Sequence, residues 1–150
     1  MMFAALVLAM SFAPDLAWSR ASTAPAADAD SAAIRAFCKK HRHGTVHTRT
    51  ELFFGLSKPD GGTVSEADFR RFMETEVTPR FPAGLTVLDA SGQYRDSAGK
   101  IIQEDSKLVV LHYPYSRADS DAVEAIRKAY KDAFQQESVL RVDKQSCVSY

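Results

Sequence analysis

The alternation of apolar and polar residues changes period several times along this chain, and each change marks an element. From Thr50 to Ser57 the period is two, with Leu52, Phe54 and Leu56 on one face and Glu51, Phe53 and Gly55 on the other. Both faces are largely apolar, which predicts a strand with neighbours on both sides. The turn Lys58-Pro59-Asp60-Gly61-Gly62 ends it. Ser65 then caps a helix, with Asp68 three residues on as the acidic partner of a variant capping box. Phe69, Phe72, Met73 and Val77 follow at helical spacing on one face, until Pro79 and the corner Phe81-Pro82-Ala83-Gly84 stop it.

The rhythm returns to that of strands at Leu85 to Arg95, where Gly92 predicts a bulge or bend. Asp96-Ser97-Ala98-Gly99 reads as a hairpin turn, and Ile101 to Tyr113 as the returning strand. Its closing run Leu108-Val109-Val110-Leu111 again predicts a central position. After Pro114, Asp119 to Asp121 open a second helix with Val123, Ile126, Tyr130, Ala133 and Phe134 as its buried stripe. Val139 to Val142 predicts a fourth strand, which Val148 to Tyr150 would extend.

The order β-α-β-β-α-β predicts an α+β fold of ferredoxin-like plan: a four-stranded antiparallel sheet with two helices on one face and the first and third strands central. Helices on one face leave the other uncovered. A homodimer packing sheet on sheet is the first candidate for covering it, and the N-terminal arm the second.

The start of the chain alters this picture. Phe3 to Met10 is apolar and uncharged, the length of a signal-peptide core and too short for a membrane span. Residues 1–21 therefore read as a signal peptide, with cleavage after 21 or 26, although no Lys or Arg precedes the apolar run. Residues 22–33 contain no large apolar side chain and read as a flexible linker, with Ser31 able to cap a short helix through Ile34, Phe37 and Cys38. Residues 34–150 form one domain. The protein is expected to be periplasmic or secreted, without a transmembrane anchor. Nineteen Lys and Arg balance nineteen Asp and Glu, so no global field directs it to nucleic acid.

Cys38 and Cys147 are the only cysteines. In an exported chain they are most simply one disulfide, closing a loop of about 110 residues that the chain-entropy argument values at about 4 to 5 kcal/mol. Neither lies in a recognisable nucleophile signature, and two lone cysteines make a poor metal site.

The blocks Arg49-Thr50-Glu51-Leu52-Phe53-Phe54-Gly55, Thr78-Pro79-Arg80-Phe81-Pro82, Gly84-Leu85-Thr86-Val87-Leu88-Asp89, Gly92-Gln93-Tyr94-Arg95-Asp96, Gln136-Glu137-Ser138-Val139 and Cys147-Val148-Ser149-Tyr150 resemble those of a bacterial family, domain of unknown function 3574. The resemblance spans about residues 49 to 150 and implies no activity. Members of that family typically look exported, often with a lipoprotein-type signal; this chain lacks the lipobox-type Cys.

Two sets of polar residues are candidates for chemistry. His41, His43 and His47 would project to one side of an extended stretch, with His41 and His43 roughly 7 Å apart, a separation at which two imidazoles can share Zn or Cu. Lys39, Lys40 and Arg42 argue instead for a solvated basic arm, or for docking to anionic envelope surfaces. The second set is Glu51, Arg80, Gln93, Arg95 and His112. Arg80, Gln93 and Arg95 would bind a ligand, while Glu51, His112 and Arg95 would do acid and base work. The structural alternative pairs Glu51 with an arginine such as Arg141 and satisfies His112 at a strand end. No cofactor is implied. The sequence thus favours a non-catalytic binding or envelope-associated module, with an enzyme of dimeric ferredoxin-like type acting on a small organic molecule as the alternative.

Overall fold

The computed structural model describes residues 26–95 and 99–150, and side chains throughout except those of 26–29, 41 and 42. The expected signal peptide, 1–21, lies outside the described residues. The elements are α1 (Ala26–Phe37), β1 (Thr45–Gly55), α2 (Glu66–Phe72), β2 (Leu85–Arg95), β3 (Ile101–Tyr113), α3 (Arg117–Phe134) and β4 (Leu140–Val148). Both α1 and α2 run on into a wider π-helical turn, Cys38–Arg42 and Met73–Val77. The described residues therefore hold three helices where the ferredoxin-like plan has two; the additional one, α1, is the short helix expected through Ile34 and Phe37, but it begins at Ala26, inside the stretch read as linker. Alanine at five of its first eight positions gives this part of α1 high intrinsic helicity although it has no large apolar side chain.

The strands form one antiparallel sheet in the order β2-β3-β1-β4, so the two strands with two-sided apolar pattern are the central ones. Continuous ladders join β1 to β3, β1 to β4 and β2 to β3. Gly92 pairs with Glu104 inside the last ladder, so the predicted bulge is absent and the strand passes straight through the glycine. β4 likewise runs unbroken to Val148 instead of stopping at Val142.

One face of the sheet carries the core. Leu52 and Phe54 of β1 and Val109 and Leu111 of β3 meet Phe69, Phe72, Met73 and Val77 from the α2 segment and Val123, Ile126 and Tyr130 from α3. Phe54 sits at the centre, edge-on to Phe69, Phe72 and Tyr130, whose centroids lie 5.8, 5.9 and 4.6 Å away. The Tyr130 hydroxyl, deep in this cluster, donates to the Gly55 carbonyl at 2.8 Å. Ala133 is exposed, because the last turns of α3 rotate it off the sheet; Ala122 and Ala129 pack against the core instead. Ser65 and Ser116 cap their helices by accepting from the Asp68 and Asp119 amides, each at 3.1 Å.

A polar seam ties β4 to α3. Buried Thr50 donates to Asp143 at 2.5 Å and therefore accepts from the Tyr113 hydroxyl at 2.7 Å. Arg141 bridges Asp143 and Glu124, and Glu124 also pairs with Arg127. Arg141 is thus committed here and does not pair with Glu51.

Cys38 and Cys147 are joined, with Cα atoms 5.5 Å apart, a separation disulfides ordinarily span. Cys147 lies opposite Val46, on the face shared by Thr50 and Leu52. Gln145, two residues back, donates to Ser31. Both links hold α1 on the helix side of the sheet, so the described part of the arm does not cover the open face as the second candidate required.

Candidate functional site

Directly opposed residues of an antiparallel ladder project to the same side, so register maps the face away from the helices. Leu88, Leu108, Phe53 and Leu140 lie side by side across all four strands. Toward the start of β1 the next row holds Thr86, Val110, Glu51 and Val142. Beyond it come His112, Arg49 and Lys144, then His47 beside Ser146. In the other direction the rows run through Gly55, Ser106 and Ala90 to Gly92 and Glu104, then to Tyr94 and Ile102. The open face has an apolar middle, a basic end, and an end where aromatic and acidic groups meet.

The last of these ends is concave. The β2–β3 hairpin, the β1 exit at Ser57 to Pro59 and the α3–β4 connection at Gln135 to Ser138 border a half-open cleft of about 610 Å³. Phe53, Tyr94, Ile102 and Leu140 supply its apolar walls, and Glu104, Gln136 and Lys58 its polar groups. The walls are braced: Gln136 Nε2 donates to the Ser57 carbonyl at 2.6 Å, and the Glu104 carboxylate accepts from the Ser57 amide at 3.1 Å. Gly55 makes room for that carboxylate, since a Cβ there would stand 2.5 Å from Glu104 Oε1. Gln135, which closes α3 in the left-handed conformation with φ 57°, turns the chain into the rim.

The basic end has a different character. Arg49 uses Nε and Nη2 on the Glu51 carboxylate, at 2.7 and 2.6 Å. His47 is 9% exposed, and the Nδ1 atoms of both His47 and His112 are buried without a hydrogen-bond partner. Burial first, then the charges of Arg49, His47 and Lys144, holds the His112 imidazolium below its usual range.

The residues singled out from the sequence are scattered between these ends. Glu51 and His112 share the open face in adjacent rows, but Glu51 is engaged by Arg49 and His112 is not satisfied at its strand end. Arg95 lies opposite Ile101, eleven positions along β3 from His112 and so about 35 Å away. Gln93 borders the cleft between Gly92 and Tyr94, but strand alternation turns its side chain to the helix side of the sheet. Arg80 is on the helix side, where its guanidinium pairs with Glu76 at 2.9 Å. His43 is exposed and closes the π-helical turn with φ 50°, so the expected extended run from His41 to His47 is broken before β1 begins. The His41 side chain lies outside those described. Among the described residues no cluster of three or more His, Cys, Asp or Glu side chains is placed to hold a metal ion.

Phe53, Glu104 and Gln136 went unsingled in the sequence. Three of the six recurring blocks, 49–55, 92–96 and 136–139, nevertheless converge on the cleft, a convergence that only the strand order reveals.

Comparison with solved structures finds the same fold in a phage SAM lyase. The form in complex with S-methyl-5'-thioadenosine superposes with a TM-score of 0.55 at 18% identity, covering 69% of this chain and 90% of that one. The apo form gives 0.51 at 18% identity, covering 70% and 92%. No curated protein matches in sequence. The model of the family described as "Protein of unknown function (DUF3574)" matches residues 49–150, and the chain belongs to that family.

Proposed function

We propose that this chain is an exported, disulfide-stapled binding domain of ferredoxin-like type that holds a small organic ligand in the cleft at the Glu104 end of the open sheet face. The strand order β2-β3-β1-β4 with α2 and α3 on one face supports the ferredoxin-like reading. The joined Cys38–Cys147 pair supports an oxidising compartment. Among the described residues no helix is long and apolar enough to cross a membrane.

The observation that carries the proposal is the cleft itself. Its volume of about 610 Å³ is the size of drug-like ligand sites, and it combines apolar walls with a few convergent polar groups. Phe53 and Tyr94 suit a flat ring, Gln136 offers an amide, and Glu104 suits an amine, a hydroxyl or a cation. S-methyl-5'-thioadenosine, a flat base with an apolar thioether, is therefore the first probe. The enzyme alternative through Glu51, His112 and Arg95 has less support, because Arg95 is remote from the other two and Glu51 is held by Arg49.

Native mass spectrometry of periplasmically expressed protein should find a retained small molecule, or calorimetry with S-methyl-5'-thioadenosine should give heat that Phe53→Ala reduces about tenfold or more. No retained mass, together with no response to S-methyl-5'-thioadenosine or to a panel of nucleosides and amines, would refute the binding role.

A further inference from the structure

The basic end of the open face carries a second inference, independent of the cleft. Across three adjacent strands His112, Arg49 and Lys144 stand in one row, and His47 stands one step along β1, beside Ser146. Side chains in such positions are about 5 Å apart across strands and about 7 Å apart diagonally. Among the described residues of these rows one acid faces this group, Glu51, and it is spent on Arg49. Among the described residues Lys144 has no ion-pair partner.

The two histidines decide which ligand suits this group. A metal-ligating imidazole ordinarily donates its other ring N–H to a carboxylate, carbonyl or water that fixes its orientation. Neither Nδ1 here has such a partner, and Arg49 and Lys144 repel a cation. A buried N–H left without an acceptor is rarer in proteins than a lone pair left bare. Each neutral ring therefore keeps its proton on Nε2, the nitrogen farther from the sheet. Every group the site offers is then a donor: two Nε2–H groups, the Nη1 of Arg49 not used by Glu51, the Lys144 ammonium and the Ser146 hydroxyl. Donors from three strands around a net positive charge match a tetrahedral oxyanion.

We propose that His47, Arg49, His112 and Lys144, with Ser146, form a site for a phosphate group, carried by a free solute or by an anionic lipid headgroup. Bound phosphate accepts from the imidazole Nε2–H groups whether a ring is neutral or charged. The test begins with the unliganded protein: imidazole ¹⁵N shifts should identify the Nε2–H tautomer for His47 and His112, and Nδ1–H tautomers would overturn the proposal. Inorganic phosphate is then titrated against chloride at matched ionic strength. Saturable movement of both rings, weakened about tenfold in Lys144→Gln, supports a phosphate site for free solutes. Weak phosphate binding with cosedimentation on phosphatidylglycerol vesicles, not on phosphatidylcholine, and loss of both in Lys144→Gln support the headgroup source. Lys144 is exposed, so this variant should fold; His112→Asn provides a second. Absence of both responses, or responses that neither variant changes, would overturn the site.

Discussion

Reducing the Cys38–Cys147 bond isolates the effect of chain closure, because it removes one covalent link and leaves every other atom in place. The cysteines are 109 residues apart in sequence. Closing a loop of that length removes about 16 cal/mol/K from the unfolded chain, or about 5 kcal/mol at 25 °C. Domains of this size are commonly stable by only about 5 to 15 kcal/mol, so the reduced protein should be marginal. With a urea dependence of about 1.5 kcal/mol per M, the unfolding midpoint should fall by about 3 M. Equilibrium urea unfolding followed by circular dichroism, with and without a phosphine reductant, measures the shift. Cys38 is fully buried, so reduction rather than Cys38→Ser is the appropriate perturbation; a serine hydroxyl would add its own desolvation cost. A midpoint shift below about 0.7 M, corresponding to about 1 kcal/mol, would refute the idea that this link restrains the unfolded chain. Rapid alkylation of both thiols before any reductant is added would contradict the bond itself.

Thr50→Val leaves the Asp143 carboxylate and the Tyr113 hydroxyl without their shared partner and should cost about 1 to 3 kcal/mol by chemical denaturation; a neutral result would mean that water replaces the hydroxyl. Gly44→Ala would place a Cβ 2.5 Å from the Val148 carbonyl oxygen, and because that atom is backbone the strain should cost about 1 to 3 kcal/mol. An unchanged thermal midpoint would show that the start of β1 and the end of β4 can separate freely. Gly55→Ala meets first the flexible Glu104 carboxylate; it should spare most of the stability while weakening ligand capture in the cleft, which calorimetry would register. His112 is held below its unfolded range, so the unfolded state binds the extra proton. The stability it protects is complete above about pH 6.5 and is lost as pH falls below that value, with a slope of at most about 1.4 kcal/mol per pH unit. His112→Asn should flatten the acid limb of a stability–pH curve, and an identical limb would assign it to other groups.

Local pattern was enough to place most elements. The two-sided apolarity of Thr50 to Ser57 and of Leu108 to Leu111 marked the central strands because a strand buried on both faces needs apolar residues at every position. Ser65 was legible as a cap because its hydroxyl acts on a backbone amide three residues away, and the pairing of Cys38 with Cys147 followed from there being only two cysteines. Other features depended on contacts between distant segments. Gly92 looks like a break when read alone, but it is an ordinary ladder position opposite Glu104. The early start of α1 at Ala26 was masked by the lack of large apolar residues before Ile34, which the links through Ser31 and Cys38 offset. The cleft draws Phe53, Tyr94 and Gln136 from three distant stretches, and the basic end draws His47, His112 and Lys144 from three strands. By itself the sequence determined the order of elements, the residues of the core and the staple, since these follow from spacing along one chain. Only the tertiary structure decided which polar groups meet, because a strand register brings together residues many tens of positions apart, and no local period encodes that distance.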